Sequence, residues 1–392
     1  MTQRRQIWTM SAVGFVVVAA MLGALVERLT HRVAARVESR FGYTPNPDGV
    51  RQFLSELEQP EFKGAAPEVI ANAKGHDTFL YRHADRAHRA VYGRPFEVWN
   101  QGSHGSCVSF GWALGSYIGQ AVDWTEGELA EAPRLVATEP IYGGSRTAGR
   151  LPPITFAGYS DGSYGAAAAR WVVGTKAGVG GILYRQKYGN VDLSTYEIPR
   201  SKEWGANGVP ADLAKLAMQH TAKGVALCDS WDSLAAAIEN GMPVPVCSNV
   251  GFATTNVRDA DGFLPRGGNW SHCMTIIGIR YKANGSPRDG ALVANSWGTG
   301  WVRGSRWPAD MPEGCFWADR KDIEAILAQG DSFVIAGVNG WKARDIDHGN
   351  WFEPAPALPA PLEPAGISSE TLPTDSRKTA FFVKSPAFTL AP

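Results

Sequence analysis

The stretch Gln101-Gly102-Ser103-His104-Gly105-Ser106-Cys107-Val108-Ser109-Phe110 decides how the chain is read. Cys107 opens an apolar run. Val108, Phe110, Trp112, Ala113, Leu114, Tyr117 and Ile118 recur on a helical spacing, which predicts a buried helix beginning at the cysteine. Gly111, Gly115 and Gly119 fall on every fourth residue and leave one face of that helix bare for close packing. A thiol at a helix N-terminus meets unpaired backbone N–H groups and the positive end of the helix dipole. Both favour the thiolate, which is the nucleophilic form. An isolated free cysteine, by contrast, reads first as a small buried hydrophobe.

Two distant stretches shift the balance. Ser271-His272-Cys273-Met274-Thr275-Ile276-Ile277 places a histidine at the start of an apolar strand, and Ala294-Asn295-Ser296-Trp297-Gly298-Thr299-Gly300-Trp301 places an asparagine at the end of another. Cysteine, histidine and asparagine, in that order, are the parts of a nucleophile, base and orienter triad.

With these motifs the chain resembles the papain-like cysteine proteases over about residues 90–340. The resemblance implies an α+β fold of two lobes. A helical lobe would carry Cys107, a β-barrel-like lobe would carry His272 and Asn295, and the cleft would lie between them. It implies that Gln101 donates to the oxyanion together with the backbone N–H of Cys107, and that Trp297 shields the histidine–asparagine bond. It further implies that Gly162 and Ser163, in Asp161-Gly162-Ser163-Tyr164, pair with an extended substrate. The same four residues also read as the start of a helix over Gly165–Val173, with Asp161 as its N-cap. The triad is spread more widely than the roughly 130–150 residues usual for the family. Two insertions account for this: a loop-like stretch from Asp123 to Tyr159, broken by Tyr142-Gly-Gly-Ser145, and a long hairpin turning at Asn284-Gly285. Departures are local. Val108 replaces an aromatic, Ser163 a glycine, Ser271 an aspartate and Cys273 a small residue. Cys247 and Cys273 read as core residues, or as walls of a specificity pocket.

A cysteine peptidase acting through a thioester is the favoured reading. A papain-fold module that binds peptides without turnover, and an acyl transferase using the same triad, are the alternatives. The expected partner is a peptide or protein substrate. No cofactor or metal is implied, because the remaining cysteines show no metal-ligand spacing. Lysine plus arginine equal aspartate plus glutamate at 38 each, so nothing in the charge balance points to nucleic acid. Five cysteines leave at least one unpaired, and His104 stands where secreted family members often place a disulfide cysteine.

Residues 1–26 read as a membrane anchor or signal segment. Residues 7–26 contain no charged side chain and are long enough to span a bilayer, which predicts membrane anchoring, or secretion if the segment is cleaved. A buried soluble helix is the third reading. Residues 27–90 read as a helical stalk and possible pro-segment, 91–340 as the catalytic domain, and 341–392 as a proline-rich extended tail. Residues 98–122 also lack acidic side chains, lysine and arginine, but Gln101, Ser103, His104, Ser106, Ser109 and Gln120 favour a buried helix over a second span.

Overall fold

The computed structural model describes residues 40–337 and 339–346. Its principal elements begin with α1 (Pro47–Glu56), β1 (Thr78–Phe79) and α2 (Leu80–Tyr92). The helices α3 (Cys107–Thr125), α4 (Thr138–Arg146), α5 (Gly165–Val172), α6 (Ile198–Asn207) and α7 (Trp231–Glu239) follow. Four more sheet strands come next, β2 (Val244–Phe252), β3 (Arg266–Arg280), β4 (Gly290–Ala294) and β5 (Cys315–Asp319), with α8 (Arg320–Leu327) after them.

The helix that starts at Cys107 is the centre of the fold. It has apolar or small residues on every side, so it is buried from Cys107 through Ile118. Its bare face meets the sheet. A Cβ on Gly111 would lie 2.9 Å from the Cys273 sulfur, and the Thr275 hydroxyl donates to the Gly111 carbonyl at 2.8 Å. The helical spacing and the glycine repeat therefore have one cause, close packing of α3 on β3.

The sheet is antiparallel and is built around β3. Ile276 pairs with Val244 of β2 and with Val293 of β4, so these strands flank β3 on opposite edges. β1 extends the β2 edge, with Thr78 opposite Ile279, and β5 lies beyond β4. The order β1–β3–β4–β5, with β2 also on β3, leaves the sheet open; the expected barrel-like lobe is an open sheet. The expected strand pair joined through Asn284-Gly285 is present, with Gly285 in the left-handed region at φ 91°. α7 is capped by the Ser230 hydroxyl, which accepts from the Ser233 N–H at 3.3 Å.

Residues before the cysteine motif belong to the same core. Tyr43, Phe53, Phe62, Val69, Leu80 and Tyr81 are all buried with the residues of α3 and the sheet. α1 opens where Asn46 accepts from the Gly49 N–H at 3.0 Å, with proline in its first turn.

Two expectations are corrected. The stretch Asp123–Tyr159 is not loop throughout, because Tyr142-Gly143-Gly144-Ser145 lies inside α4. The glycines are there for packing: a Cβ on Gly144 would come 2.0 Å from the Trp171 ring, and one on Gly143 would come 2.9 Å from Trp204. Asp161 does not cap α5. The N–H groups of Gly165 and Ala166 are instead held by Asp331, at 2.8 and 2.7 Å. The apolar stretch 7–26, the stalk up to residue 39 and the tail from 347 lie outside the described residues. Among the described residues, no helix is long and apolar enough to cross a membrane.

Candidate active site

Cys107 takes the first position of α3, and His272 lies in β3 opposite Ser248 of β2. Asn295 follows β4 directly. Pairing of β3 with β4 brings the last two together, and His272 Nε2 bonds Asn295 Oδ1 at 2.7 Å. Trp297 covers this pair, its ring 4.8 Å from the imidazole, within a cluster that includes Trp270 and Trp301. His272 Nδ1 is buried and carries no hydrogen bond among the described residues. The Cys107 sulfur faces the backbone N–H groups of Cys273, Gly42 and Val108. Cys107 is thus seated against the residue that follows His272.

The cleft is occupied by the chain itself. The strap Arg40–Thr44 runs between its two walls. Ser163 N–H donates to Gly42 O and Ser163 O accepts from Thr44 N–H, both at 2.8 Å, in a parallel bridge. On the other wall, Tyr43 N–H donates to Ser271 O at 2.9 Å. Phe41 sets its ring edge-on against His272 at 5.9 Å and against Trp297 at 5.7 Å. Cys107 is fully buried and His272 is 1% exposed.

Burial controls the charges. It pushes the Cys107 thiol up to about 12, a rise reinforced by the neighbouring Cys273 thiol and opposed by the surrounding N–H groups. It pulls His272 down to about 4, although the Asn295 bond favours the protonated ring. Under the strap the pair is therefore a neutral thiol and a neutral imidazole at pH 7.

Gln101 is buried, and its amide is fully engaged. Nε2 donates to Arg40 O at 2.9 Å and to His104 O at 2.7 Å, while Oε1 accepts from the Ser296 hydroxyl at 2.5 Å. The donor expected to face an oxyanion faces a peptide carbonyl of the strap. Ser163 presents its backbone to the cleft and turns its hydroxyl inward to Ser145 at 2.7 Å, so the side chain that replaces glycine does not narrow the cleft. Gly162 differs from its expected role. Its N–H donates to Gly105 O at 3.1 Å and its O accepts from Arg146 Nη1 at 2.6 Å, so both backbone groups are used inside the protein.

Two polar junctions beside the site go beyond what the sequence indicated. His104 is buried, with Nδ1 on Asp161 Oδ1 at 2.8 Å and Nε2 on the Ser201 hydroxyl at 3.1 Å, and Asp161 also accepts from the Gly105 N–H. This polar junction ties the loop before Cys107 to the Gly162–Ser163 segment. The second is buried Asp331, which accepts from the Gly165 and Ala166 N–H groups at the start of α5. All five cysteines are unbonded and buried. Among the described residues, no group of acidic, histidine or cysteine side chains could hold a metal ion.

The architecture is α+β, with Cys107 on the helical side and His272 and Asn295 on the sheet side. No family model matches the chain, and no curated protein matches it. Solved structures do. Xylellain, a cysteine protease from Xylella fastidiosa, is 18% identical over 76% of this chain and 97% of its own, with a TM-score of 0.47. Procathepsin L 3 of Tenebrio molitor larval midgut is 15% identical over 78% of this chain and 87% of its own, with a TM-score of 0.39. The bromelain protease of Ananas comosus, in complex with the E64 inhibitor, is 17% identical over 63% of this chain and 95% of its own, with a TM-score of 0.37. The chain resembles these cysteine proteases.

Proposed function

We propose that this chain is a cysteine peptidase held latent by its own residues 40–44. The reading rests above all on the 2.7 Å bond from His272 to Asn295 under Trp297, beside a cysteine at a helix N-terminus. Asn295 fixes the ring plane and leaves Nδ1 as the working nitrogen. Once the strap moves, water and substrate replace the apolar cover, and the N–H groups of Val108 and Cys273 remain to hold a thiolate. Cys107 then attacks the substrate carbonyl as its proton passes to His272. The carbon–nitrogen bond breaks, His272 protonates the departing amine, and a thioester remains. Water hydrolyses the thioester, releasing the acid and restoring the thiol. Gln101, freed from Arg40 O, donates to the oxygen that becomes negative in each half.

The test is digestion of an unfolded protein substrate by full-length protein in reductant, with Cys107→Ala as control. The reading predicts peptide products from the wild type and none from the variant. Equal cleavage by both would overturn it. Tight peptide binding without products, in wild type and in a strap-loosened Phe41→Ala variant, would favour the binding-module reading.

A further inference from the structure

Three of the five buried cysteines meet where α3 lies on the sheet. Cys107, Gly111, Gly115 and Gly119 fall on every fourth residue of α3 and so form one stripe. A Cβ on Gly119 would lie 3.7 Å from Pro243, one on Gly115 3.2 Å from Pro245, and one on Gly111 2.9 Å from the Cys273 sulfur. The stripe thus runs along β2 toward the place where Cys273 of β3 stands directly opposite Cys247 of β2. Alternation along β2 puts Cys247 on the same face as Pro245, under α3. Cys107 continues the stripe, about 6 Å along the helix axis from Gly111, and its sulfur faces the Cys273 N–H. All three thiols are fully buried and unbonded. Directly opposed residues of an antiparallel pair have Cα atoms about 4.5–5.5 Å apart, inside the span of about 4.4–6.8 Å that a disulfide bridges. Cys315, on β5, lies two strands away from β3.

We propose that Cys273 and Cys247 are resolving thiols for Cys107: they return it from oxidation by a peroxide and keep the oxidation as a cross-strand disulfide. This goes beyond the peptidase reading and does not depend on turnover. Once the strap moves, Cys107 is the thiol at a helix N-terminus, where the dipole favours the thiolate that attacks a peroxide. Burial holds the Cys247 thiol well above its ordinary value, so it is not the first to react. The Cys107 sulfur takes one oxygen of hydrogen peroxide. The O–O bond breaks, the other oxygen leaves as water with the thiol's proton, and Cys107 becomes a sulfenic acid. The Cys273 sulfur then attacks the Cys107 sulfur. The S–O bond breaks, an S–S bond forms, and hydroxide leaves as water with the Cys273 proton. In the last step the Cys247 sulfur attacks the Cys273 sulfur, and Cys107 departs as thiolate and takes the Cys247 proton. The sum is two thiols and one peroxide giving one disulfide and two waters, with the two electrons supplied by Cys247 and Cys273. Without the two neighbours, a sulfenic acid on Cys107 would go on to the irreversible sulfinic acid.

The experiment exposes full-length wild type, Phe41→Ala, Cys107→Ala, Cys247→Ser and Cys273→Ser to hydrogen peroxide after removal of reductant. Free thiols are then blocked, and the unreduced proteins are digested and mapped by mass. In wild type, and faster in Phe41→Ala, the expected link joins the Cys247 and Cys273 peptides while Cys107 returns as a free thiol. In Cys247→Ser the link should stop between Cys107 and Cys273. In Cys273→Ser no link should form, and Cys107 should pass to sulfinic acid, which reductant does not reverse. In Cys107→Ala the link should be lost, because the residue that receives the oxygen is gone. Cys228 and Cys315 should stay free throughout. Equal irreversible loss of Cys107 in wild type and Cys273→Ser would overturn the inference. So would a Cys247–Cys273 link that forms in Cys107→Ala at the wild-type rate, or the absence of any link in both wild type and Phe41→Ala. Links that join two molecules, read from a doubled mass of the intact protein, would overturn it as well. If a serine variant does not fold, the comparison of wild type with Cys107→Ala decides. Every readout is a mass, so loss of the peptidase reading would leave this test intact.

Discussion

Gln101 shows how one side chain can be both a structural tie and a candidate donor to a transition state. Its three hydrogen bonds join the nucleophile loop, the asparagine loop and the strap. Gln101→Ala is therefore expected to lower stability by about 2–3 kcal/mol, from three bonds worth about 1 kcal/mol each. Separately, it should slow acylation by roughly 10²–10³ with little change in substrate affinity. Single-turnover kinetics well below the melting temperature separate the two effects, and an unchanged acylation rate would remove Gln101 from the mechanism. Cys107, His272 and Asn295 were legible in the sequence because each sits in a dense local motif beside an apolar run. His104, Asp161, Asp331 and Tyr43 were not. Each gains its role by meeting a residue far away in the chain, and no local pattern records that meeting. The same holds for Gly162, whose backbone is claimed by Arg146.

Among the elements, α3 and β3 were readable from their periodicity, whereas α4 was hidden by its glycines. Gly143 and Gly144 look like a break until Trp204 and Trp171 are seen resting on them. At α5 the cap comes from Asp331, a residue of a different segment, and this arrangement has a consequence for stability. Burial raises the Asp331 carboxyl from 3.8 to about 7, against the pull of the two helix N–H groups and of the Tyr43 hydroxyl. The folded value lies above the unfolded one, so the fold favours the protonated acid. That contribution is fully present below about pH 4 and is lost as the pH rises to 7, a change of about 4 kcal/mol at most. Urea melts at pH 4.5 and 7.5 should show the wild type losing stability across this range more steeply than Asp331→Asn. Parallel behaviour of the two proteins would mean that the α5 cap does not titrate there.

At the scale of the whole molecule, the residues ahead of the cysteine motif do two jobs. Residues 47–92 complete the core around α3 and the sheet, and residues 40–44 lie between the Ser163 segment and the Ser271 strand, hydrogen-bonded to both. Family resemblance suggests a pro-segment in this region without indicating which residues touch the site. The central claim is that Cys107 is the nucleophile, that His272 activates it, and that the strap restrains both. The most direct measurement is mass mapping of full-length protein after timed exposure to a peptidyl epoxide in reductant. The account predicts a single label on Cys107, slow in the wild type and faster in Phe41→Ala, by about tenfold for each 1.4 kcal/mol by which the truncation loosens the strap. It also predicts little label in His272→Ala. Label on Cys228, Cys247, Cys273 or Cys315, or the same rate in wild type, Phe41→Ala and His272→Ala, would contradict it.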